Sequence, residues 1–122
     1  MKNAINWFSI PVADYERAKS FYQNVLDIKM ADVEMGPQKM AFFPADEDGV
    51  GGSLSLSKNF KALDNDEVTV YLSSSDLDES LNRVESNGGS VMLPKTQISS
   101  EFGYFGILID SEGNKVGLHS YN

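Results

Sequence analysis

One order of predicted elements, a strand followed by a helix and then three strands, occurs twice along the chain. In each half an aspartate precedes the apolar stripe of the helix, and these residues, Asp14 and Asp76, stand 62 residues apart in a chain of 122. Such an aspartate can accept hydrogen bonds from the free amides of the first helical turn. The spacing indicates a duplicated module. A module of about 60 residues with one helix leaves one sheet face uncovered, so we expect the halves to pack edge to edge or to exchange between subunits.

The first half begins with a strand predicted at residues 5–12, and a helix follows Asp14. Three further strands are predicted at 29–33, 39–44 and 52–57, because turn residues separate these segments. The helix has an apolar stripe made of Ala18, Phe21, Tyr22, Val25 and Leu26.

The second half repeats this order after an acidic segment without periodicity. The strands are predicted at residues 68–73, 90–93, 104–110 and 115–120. The helix is predicted to run from Asp76 to the glycines at 88–89. The polar segment 94–103 is predicted to be a loop. We therefore predict a single domain, residues 1–122, with module one at about 1–59, a linker at about 60–66 and module two at about 67–122.

Charge and composition exclude several classes of partner. The net charge of −8 repels phosphate backbones, so no nucleic-acid partner is expected. The apolar runs are too short to cross a bilayer, and the first ten residues lack the pattern of a signal peptide. The absence of cysteine excludes disulfides and thiolate metal sites. The expected location is the cytoplasm, without a membrane partner.

Three segments carry a resemblance to a known family: NWFSIPVADYERAKSFYQNVL, VTVYLSSSDLDESLNRVESNGG and FGYFGILIDSEGNKVGLHS. They resemble the vicinal oxygen chelate superfamily, which includes glyoxalase I, fosfomycin- and bleomycin-resistance proteins and extradiol dioxygenases. The resemblance spans nearly the whole chain, and the last segment is its most specific part. It implies an α+β fold in which two paired βαβββ modules form a curved half-barrel around a cavity, often in a homodimer.

Metal-using members of this superfamily hold an ion on the strands that open and close each module. The resemblance maps the opening ligand positions of the two modules to Trp7 and Thr69. It maps the closing position of module two to Gly117 and that of module one to Gly52 or Ser53. An indole has no lone pair to donate, glycine has no side chain, and a single hydroxyl is a poor ligand for zinc, iron or nickel. We therefore expect no metal and no cofactor, and we interpret Trp7 as a flat wall where relatives would hold an ion.

Strand alternation from these positions predicts an aromatic pocket with a few polar groups, a composition typical of small-molecule sites. The alternative is that the same side chains fill a closed core. The predicted ligand-binding residues are Trp7, Ser9, Phe43, Thr69, Tyr71, Phe105, Ile107 and His119.

His119 is the single histidine and the one candidate for catalysis, as a general base or as a hydrogen-bond donor to a ligand. One histidine per chain argues against an iron dioxygenase, which needs two per site. Glu34, Glu67 and Glu101 flank strands and could reach a cavity mouth, although most acidic residues serve the surface. Lys95 could meet an anionic ligand or be solvated.

Three functions remain open from sequence. The first is a metal-independent binder of a small, partly aromatic or apolar molecule. The second is a lyase or isomerase that uses His119 or a non-standard metal site. The third is a structural or interaction protein whose cavity is filled by its own side chains.

Overall fold

The computed structural model describes residues 3–5, 7–35, 37–57 and 68–122. The first module contains one helix and four strands: β1 (Trp7–Val12), α1 (Tyr15–Leu26), β2 (Ala31–Met35), β3 (Gln38–Phe42) and β4 (Gly51–Leu56). The second module contains β5 (Tyr71–Ser73), α2 (Leu77–Asn82), a 3₁₀ turn (Glu85–Asn87), β6 (Ser90–Ser99), β7 (Gly103–Ile109) and β8 (Lys115–Ser120). The predicted linker at 60–66 lies outside the described residues.

The two modules have the same topology. The strand orders are β1-β4-β3-β2 and β5-β8-β7-β6, and in each sheet the first strand runs parallel to the last, while the other neighbours are antiparallel. Parallel neighbours need a long crossover connection, and the helix together with the intervening hairpin strands supplies it. The prediction of an α+β fold built from two βαβββ modules is confirmed, with two open mixed sheets and no closed barrel.

Both helices begin at the predicted aspartates. The Asp14 carboxylate accepts a hydrogen bond from the Arg17 amide at 3.0 Å, and the Asp76 carboxylate accepts one from the Glu79 amide at 3.1 Å. Helix α1 buries the predicted stripe and also Tyr15. Helix α2 ends earlier than predicted, at Asn82, and a 3₁₀ turn completes the segment. Neither helix of the described chain is long and apolar enough to span a membrane.

The predicted loop at 94–103 is wrong, because β6 continues to Ser99 and only residues 100–102 form the turn into β7. Pro94 is tolerated since β6 lies at the edge of its sheet, where a missing backbone donor costs little. Lys95 bridges outward to Asp78 at 3.0 Å and lies over the ring of Tyr104 at 4.6 Å. The polar composition of this segment therefore reflects an exposed edge strand.

The modules are joined by the turn between β7 and β8. The buried carboxylate of Asp110 accepts hydrogen bonds from the amides of Glu112 and Asn114, each at 2.8 Å, and this fixes the shape of the turn. Its second oxygen accepts the buried hydroxyl of Tyr22 in α1 at 2.6 Å. Asn114 also donates to the carbonyl of Pro11 at 2.9 Å. The turn is thereby attached to both the helix and the first strand of module one.

Glu112 makes the densest set of contacts in this junction. Its side chain is fully buried and accepts the backbone amides of Ala13 and Asp14 at 3.1 and 2.8 Å. The guanidinium of Arg17 donates to both carboxylate oxygens, at 2.6 and 3.1 Å. Burial alone would raise the pKa of Glu112, but the hydrogen bonds from Arg17, the Asp14 amide and Ser111 hold it below its ordinary value. The ionised form is therefore the one that joins the modules.

We predict that Glu112→Gln lowers the free energy of unfolding by about 2–4 kcal/mol at neutral pH, because it removes a buried charge from a bidentate pair. Because the pKa of Glu112 is lower in the folded state, its ionised form stabilises the fold at pH values above the unfolded-state pKa of 4.5. This stabilisation is lost as the pH falls through the folded-state pKa. Urea unfolding should therefore show a difference between variant and wild type that shrinks at acid pH. Glu85→Gln, at an exposed glutamate, is the matched control. A pH-independent difference would contradict this account.

Candidate functional site

Each sheet has one face against the helices and one face away from them, here called the open face. In the second sheet, a Cβ on Gly106 would lie 3.0 Å from Leu81 of α2. Gly106 and its cross-strand partner Leu118 therefore face the helix. The residues of alternate parity therefore face the other way. Register places two cross-strand rows on the open face of the second sheet: Tyr71, Gly117 and Ile107, and beside it Ser73, His119 and Phe105.

The ring of Tyr71 lies against its cross-strand neighbour, Gly117. A Cβ at Gly117 would come within 2.3 Å of this ring, so only glycine admits the ring in this position. Phe105 meets Tyr71 edge-on with ring centroids 6.3 Å apart. The position that the resemblance mapped to a closing metal ligand is thus covered by an aromatic ring.

A pocket of about 350 Å³ opens beside these rings, lined by Tyr71, Ile98, Phe105 and His119. Tyr71 and Ile98 are about half exposed, at 52% and 48%. Ile107 shares the open face but does not line this pocket. The structure therefore brings together three of the predicted ligand-binding residues, and it adds Ile98 from the extended β6.

His119 is oriented by a backbone contact. Its Nε2 lies 2.6 Å from the carbonyl oxygen of Phe102. A carbonyl only accepts, so Nε2 donates in this contact, and in the neutral imidazole Nδ1 is the nitrogen that can accept. Tyr121 packs edge-on against the imidazole, with centroids 4.8 Å apart. The described residues that line the pocket include no carboxylate that could share a proton with His119.

Trp7 and Ser9 lie on the open face of the first sheet, apart from this pocket. Trp7 is 45% exposed and meets Phe42 at 4.9 Å between ring centroids, nearly edge-on. The hydroxyl of Ser9 is 3.0 Å from that of Ser55, which is 3.1 Å from that of Ser53. The first open face therefore combines two rings with a chain of three hydroxyls.

Phe43 and Thr69 are not where the alternation argument put them. Phe42 takes the position beside Trp7, whereas the Phe43 ring packs against Phe8 and Tyr22 on the helix side, at 5.3 and 5.4 Å between centroids. Strand β5 begins only at Tyr71, and Thr69 precedes it. Both misplaced residues line a different pocket of about 680 Å³ between the modules, here called the junction pocket.

The mapped metal-ligand positions do not form a ligand set in the structure. Trp7 pairs across the parallel strands with Gly51, and Ser53 pairs with Ser9. The described part of the chain holds no group of three or more His, Cys, Asp or Glu side chains that could bind a metal ion. The side chains at these positions fit aromatic contact and hydrogen bonding better than ion coordination.

Two of the three candidate acidic residues, Glu34 and Glu101, lie outside the pockets. Glu34 is exposed on β2, and Glu101 is exposed in the turn after β6. Glu67 lies outside the described residues. Lys95 is paired with Asp78 and so is not an open site for an anion.

The titratable groups with shifted pKa values lie around α1. Burial and the nearby Asp110 raise the pKa of Tyr22, and burial with the hydrogen bond to Asp32 raises the pKa of Tyr15. The hydrogen bonds from Tyr15 and Lys19 lower the pKa of Asp32. Groups with shifted pKa values indicate a catalytic site only when they share a cleft. Tyr15, Tyr22 and Asp32 instead form structural contacts around α1.

Two contributors were missed from the sequence. Ile98 lay in the segment predicted to be a loop, and register shifts along β6 break the alternation that would otherwise extend from 90–93 to it. Ser55 was not connected to Ser9, although parallel pairing of β1 with β4 places Ser55 two residues from Ser53, the register partner of Ser9. Both errors arose where strand pairing, rather than local pattern, decides which side chains meet.

Comparisons with known proteins agree with the fold described above. A family model described as Glyoxalase/Bleomycin resistance protein/Dioxygenase superfamily matches residues 4–118. The search of curated proteins returned no match.

Among solved structures, TnmS3, an antibiotic binding protein from Streptomyces sp. CB03234, is 26% identical, with 96% of this chain and 94% of that chain covered and a TM-score of 0.63. A hypothetical protein from S. aureus is 23% identical, with 98% and 97% covered and a TM-score of 0.68. A glyoxalase I mutant from Zea mays is 19% identical, with a TM-score of 0.73; the alignment covers 94% of this chain and 45% of that one. The chain thus spans less than half of the maize protein.

Proposed function

Because the chain belongs to the Glyoxalase/Bleomycin resistance protein/Dioxygenase superfamily, we propose that it binds a small, partly aromatic organic molecule on the open face of the second sheet, without a resident metal. The observation that carries this proposal is the pocket formed by Tyr71, Ile98, Phe105 and His119. Its walls are largely apolar, and among the described lining residues the polar side-chain groups are the His119 imidazole and the Tyr71 hydroxyl. Small-molecule sites commonly combine apolar walls with a few polar groups in this way.

The walls favour a planar guest. Tyr71 lies against Gly117 yet is 52% exposed, so part of its ring is available to a guest, and Phe105 meets the ring edge-on. Two rings held at an angle give an aromatic guest one stacking and one edge contact. His119 is held by Phe102 and leaves Nδ1 as a hydrogen-bond acceptor. A guest with a hydroxyl or amide beside its ring system fits this arrangement.

The comparison with TnmS3 supports a binding role, since that relative is described as an antibiotic binding protein. Fold alone does not determine function in a family of this kind. The proposal for this chain therefore rests on its own pocket, and the relative supports it only as an antibiotic binding protein of similar fold.

A lyase or isomerase that uses His119 is the competing proposal. Such a reaction moves a proton, and the described lining of the pocket offers His119 without a carboxylate partner. A protein with a filled cavity is the third proposal, and the open volume of about 350 Å³ argues against it.

We also propose a homodimer in which the open face of the first sheet is covered. This face carries Trp7, which is 45% exposed. The described open-face residues of the first sheet are uncharged, so covering them does not bury a charge.

Binding is tested by a thermal-shift screen of aromatic metabolites and antibiotics, which should yield a stabilising compound. Tyr71→Ala and Phe105→Ala should each weaken binding of that compound by about 1–3 kcal/mol in calorimetry, through lost aromatic contact. Phe102→Ala removes an exposed ring that does not line the pocket and is the matched control. Equal affinity in all three variants would refute this location.

Metal analysis separates the binder from the enzyme. Protein purified without chelator should contain nickel, zinc and manganese well below one equivalent per chain, because the mapped positions lack ligand side chains. A stoichiometric metal, retained through dialysis, would favour the lyase or isomerase.

Sedimentation velocity tests the homodimer. The wild-type chain should sediment at twice its mass of 13.4 kDa. Trp7→Glu should be monomeric because it introduces a charge on the open face, whereas Val68→Glu, at an 88% exposed residue outside both sheets, should remain dimeric. A monomeric wild type would contradict the proposal.

A further inference from the structure

We infer that the junction pocket is a second binding site, for an uncharged and largely apolar molecule of drug size. It differs from the proposed site in position and in its walls. Its volume of about 680 Å³ lies within the range of small-molecule sites, about 300–1,000 Å³.

One wall belongs to module one and lies on the helix side of the first sheet. Phe8 and Phe43 pack against each other there at 5.3 Å between centroids, and Phe43 continues to Tyr22. A Cβ at Gly52 would lie 2.2 Å from the Phe8 ring, so the absence of a side chain lets this ring lie directly on the strand. Leu26 and Ile28, where α1 ends, complete this wall.

The other wall comes from module two, from the chain that enters β5. The pocket is lined there by residues 69–73, and at its rim by Ile5 and Val50 of module one. Ile5 and Val50 are 58% and 37% exposed. Apolar side chains on the rim of an apolar pocket add to the apolar surface that is removed from water when a small molecule binds, which favours binding. The site therefore depends on both modules being held together.

The charge of the lining selects the guest. The chain has a net charge of −8, yet no acidic or basic side chain is among the described residues that line this pocket. A charged guest would lose hydration without gaining a partner there. Thr69 and Ser73 offer hydroxyls and Asn3 an amide, so a few uncharged polar groups on an otherwise apolar guest can be accommodated.

Among the described lining residues, the two pockets share only Tyr71. Phe8 faces the helix side and lines the junction pocket, whereas its chain neighbour Trp7 faces the open side. Ile98 and Phe105 line only the open-face pocket. Substitutions at Val50 and Ile98 therefore distinguish the sites without altering the shared residue.

The experiment uses N-phenyl-1-naphthylamine, an uncharged probe whose fluorescence rises in apolar surroundings. Titration of the full chain should give saturable binding, and Val50→Glu should weaken it at least about tenfold, since a carboxylate at the rim must be desolvated. Ile98→Glu is the matched control on the open face and should change the affinity less than about twofold. Circular dichroism and thermal unfolding check that both variants fold.

Three results would overturn the inference: no saturable binding, an unchanged affinity in folded Val50→Glu, or a loss in Ile98→Glu instead. The last result would place the probe on the open face and would support the proposed function while refuting the second site. A Val50→Ala variant, which adds no charge, covers the case in which Val50→Glu does not fold, and it should weaken binding about two- to tenfold. An unchanged affinity in Val50→Ala would then count against the site.

Discussion

The carboxylate of Glu112 holds the two modules of this protein in one arrangement. It lies in the β7–β8 turn and binds the amides that precede α1 together with the guanidinium of Arg17. An acidic group suits this place, because the beginning of a helix presents free amides and a partial positive charge. The buried pair of Asp110 and Tyr22 reinforces the contact from the other end of the turn. Among the described residues, the two modules are thus joined through this turn and α1, and their two sheets do not pair with each other.

This attachment decides which surfaces remain available for function. The apolar side chains of both sheets that face the helices are buried, as shown by Val12, Leu54, Leu108 and Leu118. The opposite faces keep Trp7 and Tyr71 about half exposed. Aromatic rings at such positions lose little conformational entropy on contact and offer large apolar area. The open faces are therefore where a guest or a second subunit gains most by binding.

Much of the fold could be predicted from local pattern. Strand β8 matches its prediction, and both helices begin at the predicted aspartates, because alternation and capping depend on neighbouring residues. The site was predicted less well. Phe43 was assigned to the side of Trp7, but the structure places Phe42 there, since a shift of one residue reverses the face of every side chain in a strand. Ile98 was hidden because a polar edge strand resembles a loop in composition.

The claim that the open face of the second sheet binds an organic molecule is tested most directly by a crystal structure of the chain with a stabilising compound. The account predicts ring density in contact with Tyr71 and Phe105, within about 4 Å of both, and a polar atom of the compound facing His119. A metal ion held by protein side chains at that face, or a compound bound elsewhere with the face empty, would contradict it.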